Sequence, residues 1–195
     1  MSDDINQIYL TGNLDNVRCE KQSKGGSSWW NASGKLSTPA GNFFIDLDVK
    51  SDKQADWFNS TFQQPQAVLC WPAVFDSYYS KAKGEWKYKI SVRNKGLRIL
   101  NQAPGDPSQL PMPIAYVEGT VKGCTENHVM LASKYSYHST KLARRVDGEH
   151  FVNVVFPQPV AFQEGQTLCL QGIPSPKLGD SWTVSLNVVQ AYITS

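Results

Sequence analysis

Residues 8–14 read IYLTGNL, and this stretch decides the fold class because its apolar and small residues recur at every second position. A period of two is the pattern of a β-strand that buries one face and exposes the other. The same period recurs in residues 43–49, 88–92 and 184–188. The sequence therefore predicts an all-β chain made of many short strands.

One helix interrupts the predicted strands. In residues 52–62, Asp52 is placed to cap the N-terminus, and Trp57, Phe58 and Phe62 are spaced so that they could face inward. We expect a single short helix here, in the first half of the chain.

A proline-rich stretch divides the sequence into two halves. Residues 101–113 (NQAPGDPSQLPMP) contain four prolines and no strand pattern, which is typical of a linker. We expect an N-terminal domain at residues 1–102, a linker at residues 103–113 and a C-terminal domain at residues 114–195.

The two halves share an ordered series of similar residues. The offset between matched residues falls from 107 to 105, 99 and 96 along the series, as expected for one unit that was duplicated and then shortened in its loops. The matches are Gly12 with Gly119, Cys19 with Cys124, Cys70 with Cys169, and Trp86 with Trp182. Each half would hold about five strands, and closure into a barrel would leave no free sheet edge.

Composition narrows the class of protein. Hydrophobic residues make up 41% of the 195 residues, enough for a core, and no stretch is suited to span a bilayer. The net charge is only +2, but residues 1–100 carry 13 Lys and Arg against 10 Asp and Glu, whereas residues 101–195 carry 6 against 7. This bias favours the first half as the side that faces a polyanion. Four cysteines without paired spacing, and no signal-peptide pattern, lead us to expect a cytoplasmic protein with reduced thiols.

The first half resembles bacterial and phage single-stranded DNA-binding proteins of the OB-fold type. The resemblance rests on IYLTGNL, on residues 67–88, where Tyr79, Gly84 and Tyr88 fall in register, and on GLRIL at residues 96–100. It implies two tandem five-stranded OB barrels, because the second half is linked to the first by the repeat. The chain stops at QAYITS without the acidic tail of that family, so recruitment of replication or recombination proteins is less expected.

The resemblance implies that single-stranded DNA lies on the outer surface of the second and third strands. Strand parity points Trp29, Lys35 and Phe44 outward on this surface, and it points Trp71 and Phe75 outward on the fourth strand. Rings of this kind can stack on bases of any sequence. Two carboxylates, Asp46 and Asp48, share the outward face of Phe44 and would repel phosphate.

Three further segments combine aromatic and basic residues that could contact DNA. The first is a flexible loop at residues 18–28, with Arg18, Lys21 and Lys24. The second is a ribbon that would wrap the strand, with Tyr78, Tyr79, Lys81, Lys83, Trp86, Lys87 and Lys89. The third lies in the second half, with Lys134, Tyr135, Tyr137, Lys141, Arg144 and Arg145. For every one of these residues, core packing, a subunit contact or a solvated loop is the alternative interpretation.

Motifs for catalysis and metal binding are absent from the sequence. The three histidines, His128, His138 and His150, are ten or more residues apart with no cysteine pair nearby, and no Gly-x-Ser-x-Gly motif occurs. We therefore expect no enzymatic activity, no cofactor and no metal.

Two functions fit these patterns. The first is sequence-tolerant binding of single-stranded DNA in replication, recombination or repair, by a protein that could form a homodimer. The second is a protein–protein adaptor on an OB scaffold in a replication, phage or plasmid assembly. RNA and oligosaccharides are further ligands that OB barrels accept.

Overall fold

Strands dominate the structure, as the period-two pattern predicts. The computed structural model describes residues 3–93, 95–139, 144–178, 181 and 183–194, with only the backbone described at residues 24, 27 and 137–139. The strands are β1 (Asn6–Lys24), β2 (Ser27–Thr38), β3 (Gly41–Leu47), β4 (Gln66–Ser80), β5 (Glu85–Val92), β6 (Leu97–Ile99), β7 (Ile114–Thr125), β8 (His128–Ser139), β9 (Arg144–Val155), β10 (Thr167–Ser175) and β11 (Ser185–Ile193). One α-helix, α1 (Asp52–Thr61), and one 3₁₀ turn (Pro107–Gln109) accompany them. The predicted all-β class with one short helix is confirmed.

The chain divides into two compact units. The first unit holds residues 8–74 and 89–113, and the second unit holds residues 1–7, 75–88 and 114–195. The tip of the β4–β5 hairpin and the N-terminal residues thus belong to the same unit as the C-terminal strands. These units differ from the domains expected at residues 1–102 and 114–195, and those boundaries stay a prediction.

The first unit contains a five-stranded barrel. Its strands pair in the order β1-β2-β3-β5-β4, and β4 pairs back with β1 to close the ring. The pairs β1–β2, β2–β3 and β1–β4 are antiparallel, and β3 pairs with β5 in parallel. The side chains that point into the ring form its core: Ile8, Leu10, Leu14, Leu36, Phe43, Ile45, Val68, Cys70 and Ile90.

The second unit repeats this pairing pattern. Its strands follow the order β7-β8-β9-β11-β10, β10 pairs back with β7, and the parallel pair is β9 with β11. Its buried core includes Val117, Val121, Leu131, Val152, Leu168, Leu170 and Leu186. All eleven strands nevertheless belong to one hydrogen-bonded sheet, so the expectation of two tandem barrels is not confirmed.

The two glycines of the sequence repeat occupy corresponding places in the two units. Gly12 lies opposite Val68 in the β1–β4 pair, and Gly119 lies opposite Leu168 in the β7–β10 pair. A Cβ atom on Gly12 would lie 2.6 Å from the carbonyl oxygen of Ser37, and one on Gly119 would lie 2.8 Å from a carbonyl oxygen of β8. Both positions therefore require glycine, because the backbone of the second strand of each unit approaches too closely for a side chain.

Cys70 and Cys169, which the sequence repeat matches, differ by one residue in their position relative to the repeat glycines. Cys70 lies opposite Leu10, two residues before Gly12, whereas Cys169 lies opposite Glu118, one residue before Gly119. All four cysteines are free thiols, and burial raises the pKa of the Cys70 thiol to about 12. The proposed match at Trp182 lies outside the described residues.

The helix differs from its prediction at both ends and on one face. It spans Asp52–Thr61, and the side chain of Ser51, rather than Asp52, caps it by accepting a hydrogen bond from the Gln54 N–H group. Phe58 is buried, but Trp57 is exposed and was wrongly predicted to face inward. Neighbouring residues on a helix point about 100° apart, so Trp57 and Phe58 cannot share one narrow buried stripe. Among the described residues, no helix is long and apolar enough to cross a membrane.

The proline-rich segment lies against the first unit. Gly105 accepts a hydrogen bond of 2.6 Å from the side-chain amide of Asn13, and Asp106 caps the 3₁₀ turn that follows. The segment is therefore part of the first compact unit as well as a connection to β7.

We expect Gly12→Ala to lower the free energy of unfolding by about 1–3 kcal/mol, because its methyl group would overlap the Ser37 carbonyl. Urea unfolding followed by tryptophan fluorescence measures this change. Gly105→Ala is the control, since a Cβ there meets nothing within 4 Å. Equal stability of the two variants would show that the close approach at Gly12 does not constrain the barrel.

Candidate nucleic-acid interface

Two aromatic rings stand on the outer surface of β2 and β3 in the first unit, as strand parity predicts. Trp29 is 49% exposed and Phe44 is 68% exposed. Lys35 lies directly opposite Phe44 in the antiparallel β2–β3 pair. Side chains on such opposed positions lie about 5 Å apart at their Cβ atoms. The cation of Lys35 therefore lies beside the exposed ring of Phe44.

Trp29 lies farther along the same surface. It precedes Lys35 by six residues on β2, and a strand rises about 3.3 Å per residue, so the two positions lie roughly 20 Å apart. The outward residues between them are Asn31 and Ser33, which are polar and uncharged. The surface thus offers two ring sites at its ends and hydrogen-bonding groups between them.

Both carboxylates near Phe44 are paired with lysines. Asp46 forms an ion pair and hydrogen bond with Lys89 of β5, and Asp48 lies 3.3 Å from the ammonium nitrogen of Lys50. The expected repulsion of phosphate is thereby reduced. Lys89, a predicted DNA contact, is engaged with Asp46 in this structure.

The predicted flexible loop at residues 18–28 is instead a regular hairpin. β1 and β2 pair without a break from Arg18 to the turn at Gly25 and Gly26, whose φ angles are 58° and 78°. Two consecutive residues with positive φ form the tight turn that suits a two-residue hairpin, and glycine adopts it without strain. The expectation of a loop that orders on binding was therefore wrong.

The cations of this hairpin have different surroundings. Arg18 is exposed and lies opposite Ser33 in the β1–β2 pair. Lys21 forms an ion pair of 2.9 Å with Asp52, and its ammonium lies 5.6 Å from the centre of the Trp30 ring. The side chain of Lys24 lies outside the described part of the chain.

Phe75 was wrongly predicted to point outward. The β1–β4 register shifts between its pairs Ile8 with Ala73 and Leu10 with Cys70, so β4 contains one extra residue there. A bulge of this kind reverses the alternation of side chains beyond it. Phe75 is consequently 3% exposed, whereas Trp71, which lies within the irregularity, is exposed as predicted.

The predicted ribbon is a hairpin with exposed rings at its tip. Tyr78, Tyr79 and Trp86 are each about half exposed, and Lys81 and Lys83 are exposed. The Trp86 and Tyr79 rings meet edge to face at 5.8 Å between their centres.

One lysine of the ribbon is paired within it. Lys87 lies 2.7 Å from Glu85, and its hydrogen bond lowers the pKa of that carboxyl group. This pair removes part of the positive charge that was predicted for the ribbon.

The base of this hairpin is anchored on β9 within the second unit. The Phe151 N–H group donates a hydrogen bond of 2.7 Å to Ser77 Oγ, and the Phe151 and Trp86 rings meet edge to face with centres 4.9 Å apart. Asp76 Oδ1 also lies 3.1 Å from His150 Nδ1. The hairpin is thus held by backbone, ring and polar side-chain contacts, which the expectation of a flexible ribbon did not include.

The basic segment of the second half is partly occupied by the protein's own groups. Tyr135 stacks on His150 with ring centres 4.1 Å apart, so one face of the predicted stacking ring is covered. Arg145 forms an ion pair of 3.1 Å with Asp147 and lies 3.6 Å from Asp3. Lys134 and Arg144 are exposed. The Tyr137 side chain and the whole of Lys141 lie outside the described residues.

Two acidic residues near the N-terminus were missed as functional candidates. Asp3 and Asp4 both contact β8, and no periodicity in the sequence pairs residues that are more than 100 positions apart. In the parts of the chain that the structure describes, no group of three or more His, Cys, Asp or Glu side chains could hold a metal ion.

Comparison with known proteins supports the fold. No family model and no curated protein matches the sequence. Among solved structures, the single-stranded DNA-binding protein from Thermus aquaticus aligns over 100% of this chain and 95% of its own, with a TM-score of 0.60 and 10% identity. A Replication Protein A heterotrimer bound to ssDNA aligns over 97% of this chain and 49% of its own (TM-score 0.36, 13% identity). The Ifi202 HINa domain in complex with 20bp dsDNA aligns over 97% of this chain and 96% of its own (TM-score 0.30, 11% identity).

The first of these likenesses shows that the chain has an OB-type fold. It covers nearly the whole of both chains at a TM-score above 0.5, whereas the other two fall below that value and carry no argument. At 10% identity the likeness concerns the fold and not the ligand.

We expect Ser77→Ala to destabilise the anchored hairpin by about 1–3 kcal/mol, because the half-buried N–H group of Phe151 loses its acceptor. Hydrogen exchange at the Phe151 amide measures the opening of this contact. The control is Ser60→Ala, which removes an exposed hydroxyl on α1 and should change stability by less than about 0.5 kcal/mol. Unchanged exchange at Phe151 in Ser77→Ala would show that the hairpin is held by other contacts.

Proposed function

We propose that this protein binds single-stranded DNA without strong sequence preference, on the outer surface of β2 and β3. The observation that carries the proposal is the exposure of Trp29 (49%) and Phe44 (68%) on one face of a five-stranded OB-type barrel. Both rings are held on regular strands, so their positions are preorganised rather than dependent on a loop.

Stacking supplies the sequence tolerance. Every base has a π-face, and stacking of a base on an aromatic side chain contributes about 1–3 kcal/mol. An aromatic ring that is exposed to water lacks the stabilisation that its burial would provide. Two such rings on one face of the barrel therefore indicate a surface that binds a ligand.

Cations around the rings would neutralise phosphates. Lys35 lies beside Phe44, and Arg18 is exposed on the neighbouring strand. Lys21 lies opposite Trp30 and pairs with Asp52, so it points away from the face that carries Trp29 and does not add to this surface. Affinity should fall as salt rises, because bound phosphates release their counterions.

We further propose that the chain is a tandem pair of OB barrels that arose by duplication. The supporting observations are the shared order of strand pairing in the two units and the corresponding places of Gly12 and Gly119. A role in replication, recombination or repair, a cytoplasmic location, a homodimeric state and the absence of enzymatic activity belong to the same proposal.

A protein–protein adaptor is the second candidate function. The observation that favours it is the C-terminal part of β11, where Val189, Tyr192 and Ile193 are exposed and the strand pairs only with β10 among the described residues. An exposed apolar edge strand is a surface on which another chain can pair. Light scattering that shows a stable oligomer, together with no binding of oligonucleotides, would favour this function.

We expect Trp29→Ala and Phe44→Ala each to weaken the binding of fluorescein-labelled oligo-dT by about 1–3 kcal/mol, which is roughly 5- to 150-fold in Kd. The physical reason is the loss of one stacking surface per variant. Fluorescence anisotropy at fixed low salt measures Kd.

The matched control is Tyr116→Ala, which removes a ring of similar exposure from β7 of the second unit. It should leave Kd within about twofold of wild type. If all three variants bind oligo-dT equally well, the rings on β2 and β3 are not the stacking surface. If wild type itself shows no shift at micromolar protein concentration, the proposed function is wrong.

A further inference from the structure

The N-terminal residues Asp3 and Asp4 occupy hydrogen-bond donors on β8 of the second unit. The Lys134 N–H group donates a hydrogen bond of 2.8 Å to Asp4 Oδ2, and the Asp4 N–H group donates one of 3.1 Å to the Lys134 carbonyl. Ser136 Oγ donates a hydrogen bond of 2.6 Å to Asp3 Oδ1, and the guanidinium of Arg145 lies 3.6 Å from the same oxygen. Both carboxylates are therefore bound by the protein's own polar groups.

The groups of β8 and β9 that donate hydrogen bonds to Asp3 and Asp4 are of the kinds that bind phosphate. Backbone N–H groups, serine hydroxyls and arginine guanidinium groups are among the groups that contact the sugar-phosphate backbone in protein–nucleic acid complexes. A carboxylate has the same charge as a phosphodiester and accepts the same hydrogen bonds. The two aspartates thus stand where two negatively charged oxygens of a strand could be bound.

The aspartates reverse the sign of the net charge on these strands. The described parts of β7, β8 and β9 carry four cations, Lys122, Lys134, Arg144 and Arg145, and three carboxylates, Glu118, Asp147 and Glu149. Asp3 and Asp4 turn this excess of one positive charge into an excess of one negative charge. Without them the surface would repel a polyanion less.

The site is also open and large enough for a ligand. Asp3 lines a groove of about 550 Å³ together with Lys134, Tyr135, Arg145, Asp147 and Glu149. Tyr135 lies beside these polar groups, with its ring stacked on His150. The groove is therefore lined by Asp3 and by residues of β8 and β9.

Asp3 is held less firmly than Ile5 and Asn6, which follow it in the chain. The following residues are anchored through their backbone and amide groups, since Glu118 N–H donates to the Ile5 carbonyl and Asn6 exchanges two hydrogen bonds with the backbone of Phe75. The ion pair of Asp3 with Arg145 is exposed and screened by solvent. Asp3 and Asp4 can therefore be displaced while Ile5 and Asn6 remain in place.

We propose that Asp3 and Asp4 are a built-in competitor of nucleic acid: they occupy a phosphate-binding site on β8 and β9, and the sugar-phosphate backbone of a single strand displaces them. This inference rests on the proposed function and extends it to the second unit. Binding of a strand to this site includes the cost of releasing Asp3, so the aspartates lower the affinity for nucleic acid and the number of phosphates that are neutralised.

The lowered pKa of Asp3 is consistent with this arrangement. The hydrogen bond from Ser136 is the largest cause that holds the pKa of this carboxyl group below its usual value, and Arg145 acts in the same direction. A depressed pKa means that the contact is fully present at neutral pH and is lost only as the pH falls through the acid range. Competition therefore operates at the pH where nucleic acid is bound.

The test compares Asp3→Asn/Asp4→Asn with the charge-matched control Asp56→Asn/Glu164→Gln, whose residues are exposed and distant in sequence from the site. Asparagine keeps an oxygen that can accept the same hydrogen bonds, so the first pair removes charge without removing shape. We expect this pair to bind labelled oligo-dT about threefold to tenfold more tightly than the control pair at low salt. The salt dependence, measured between about 50 and 200 mM, should steepen by about 0.7 in log–log slope for each phosphate gained.

A third variant links the effect to Arg145. In an Arg145→Gln background, the gain from Asp3→Asn/Asp4→Asn should fall by half or more, because the released guanidinium is then absent. Circular dichroism melting of all variants verifies that each is folded.

The outcomes separate the two proposals. If wild type binds oligo-dT and both charge pairs bind it equally, the competitor is overturned while the proposed function stands. If wild type, control and the Asp3→Asn/Asp4→Asn pair all fail to bind, the proposed function is overturned, and the competitor with it. If affinity for oligo-dT rises only in the Asp3→Asn/Asp4→Asn pair, and rises less in the Arg145→Gln background, both proposals are supported.

Discussion

The barrel of the first unit depends on the double pairing of one strand. β1 pairs with both β2 and β4 in the first unit, so the sheet closes and every strand must direct alternate residues into one interior. Closure is possible because Gly12 has no side chain where the Ser37 carbonyl approaches. Once Phe43 and Ile45 point inward, Phe44 between them has to stand in solvent. The exposed ring is thus a geometric consequence of the closed barrel and the choice of residue.

The polar groups of the two units are arranged so that most charges near the candidate surfaces already have a partner. In the first unit, lysines hold the carboxylates beside Phe44, which limits the repulsion of phosphate. In the second unit, the chain's own Asp3 fills a site beside Arg145. The Asp48–Lys50 and Asp3–Arg145 pairs are exposed and therefore weak, and a phosphate backbone that offers many charges at once can replace them. The two surfaces are therefore suited to a flexible polyanion.

Sequence patterns predicted the strand framework and the outward direction of Trp29 and Phe44, because a period of two follows directly from strand geometry. They failed where local geometry changes the period. A bulge in β4 turned Phe75 inward, and a tight turn at Gly25 and Gly26 made a hairpin of the expected loop. Contacts between distant segments, such as Asp3 with Ser136, leave no periodic trace in the sequence and required the structure. The pairing of the eleven strands into one sheet was equally beyond local patterns.

Photocrosslinking tests most directly whether bases lie on the β2–β3 surface. An oligo-dT strand in which single thymines are replaced by 5-iodouracil forms covalent adducts with aromatic side chains that stack on the halogenated base, and mass spectrometry of the digested protein identifies the linked residue. The account predicts adducts at Trp29 or Phe44. Adducts confined to rings elsewhere, such as Tyr116 or Tyr192, would contradict it, because the bases would then lie on a different face of the molecule.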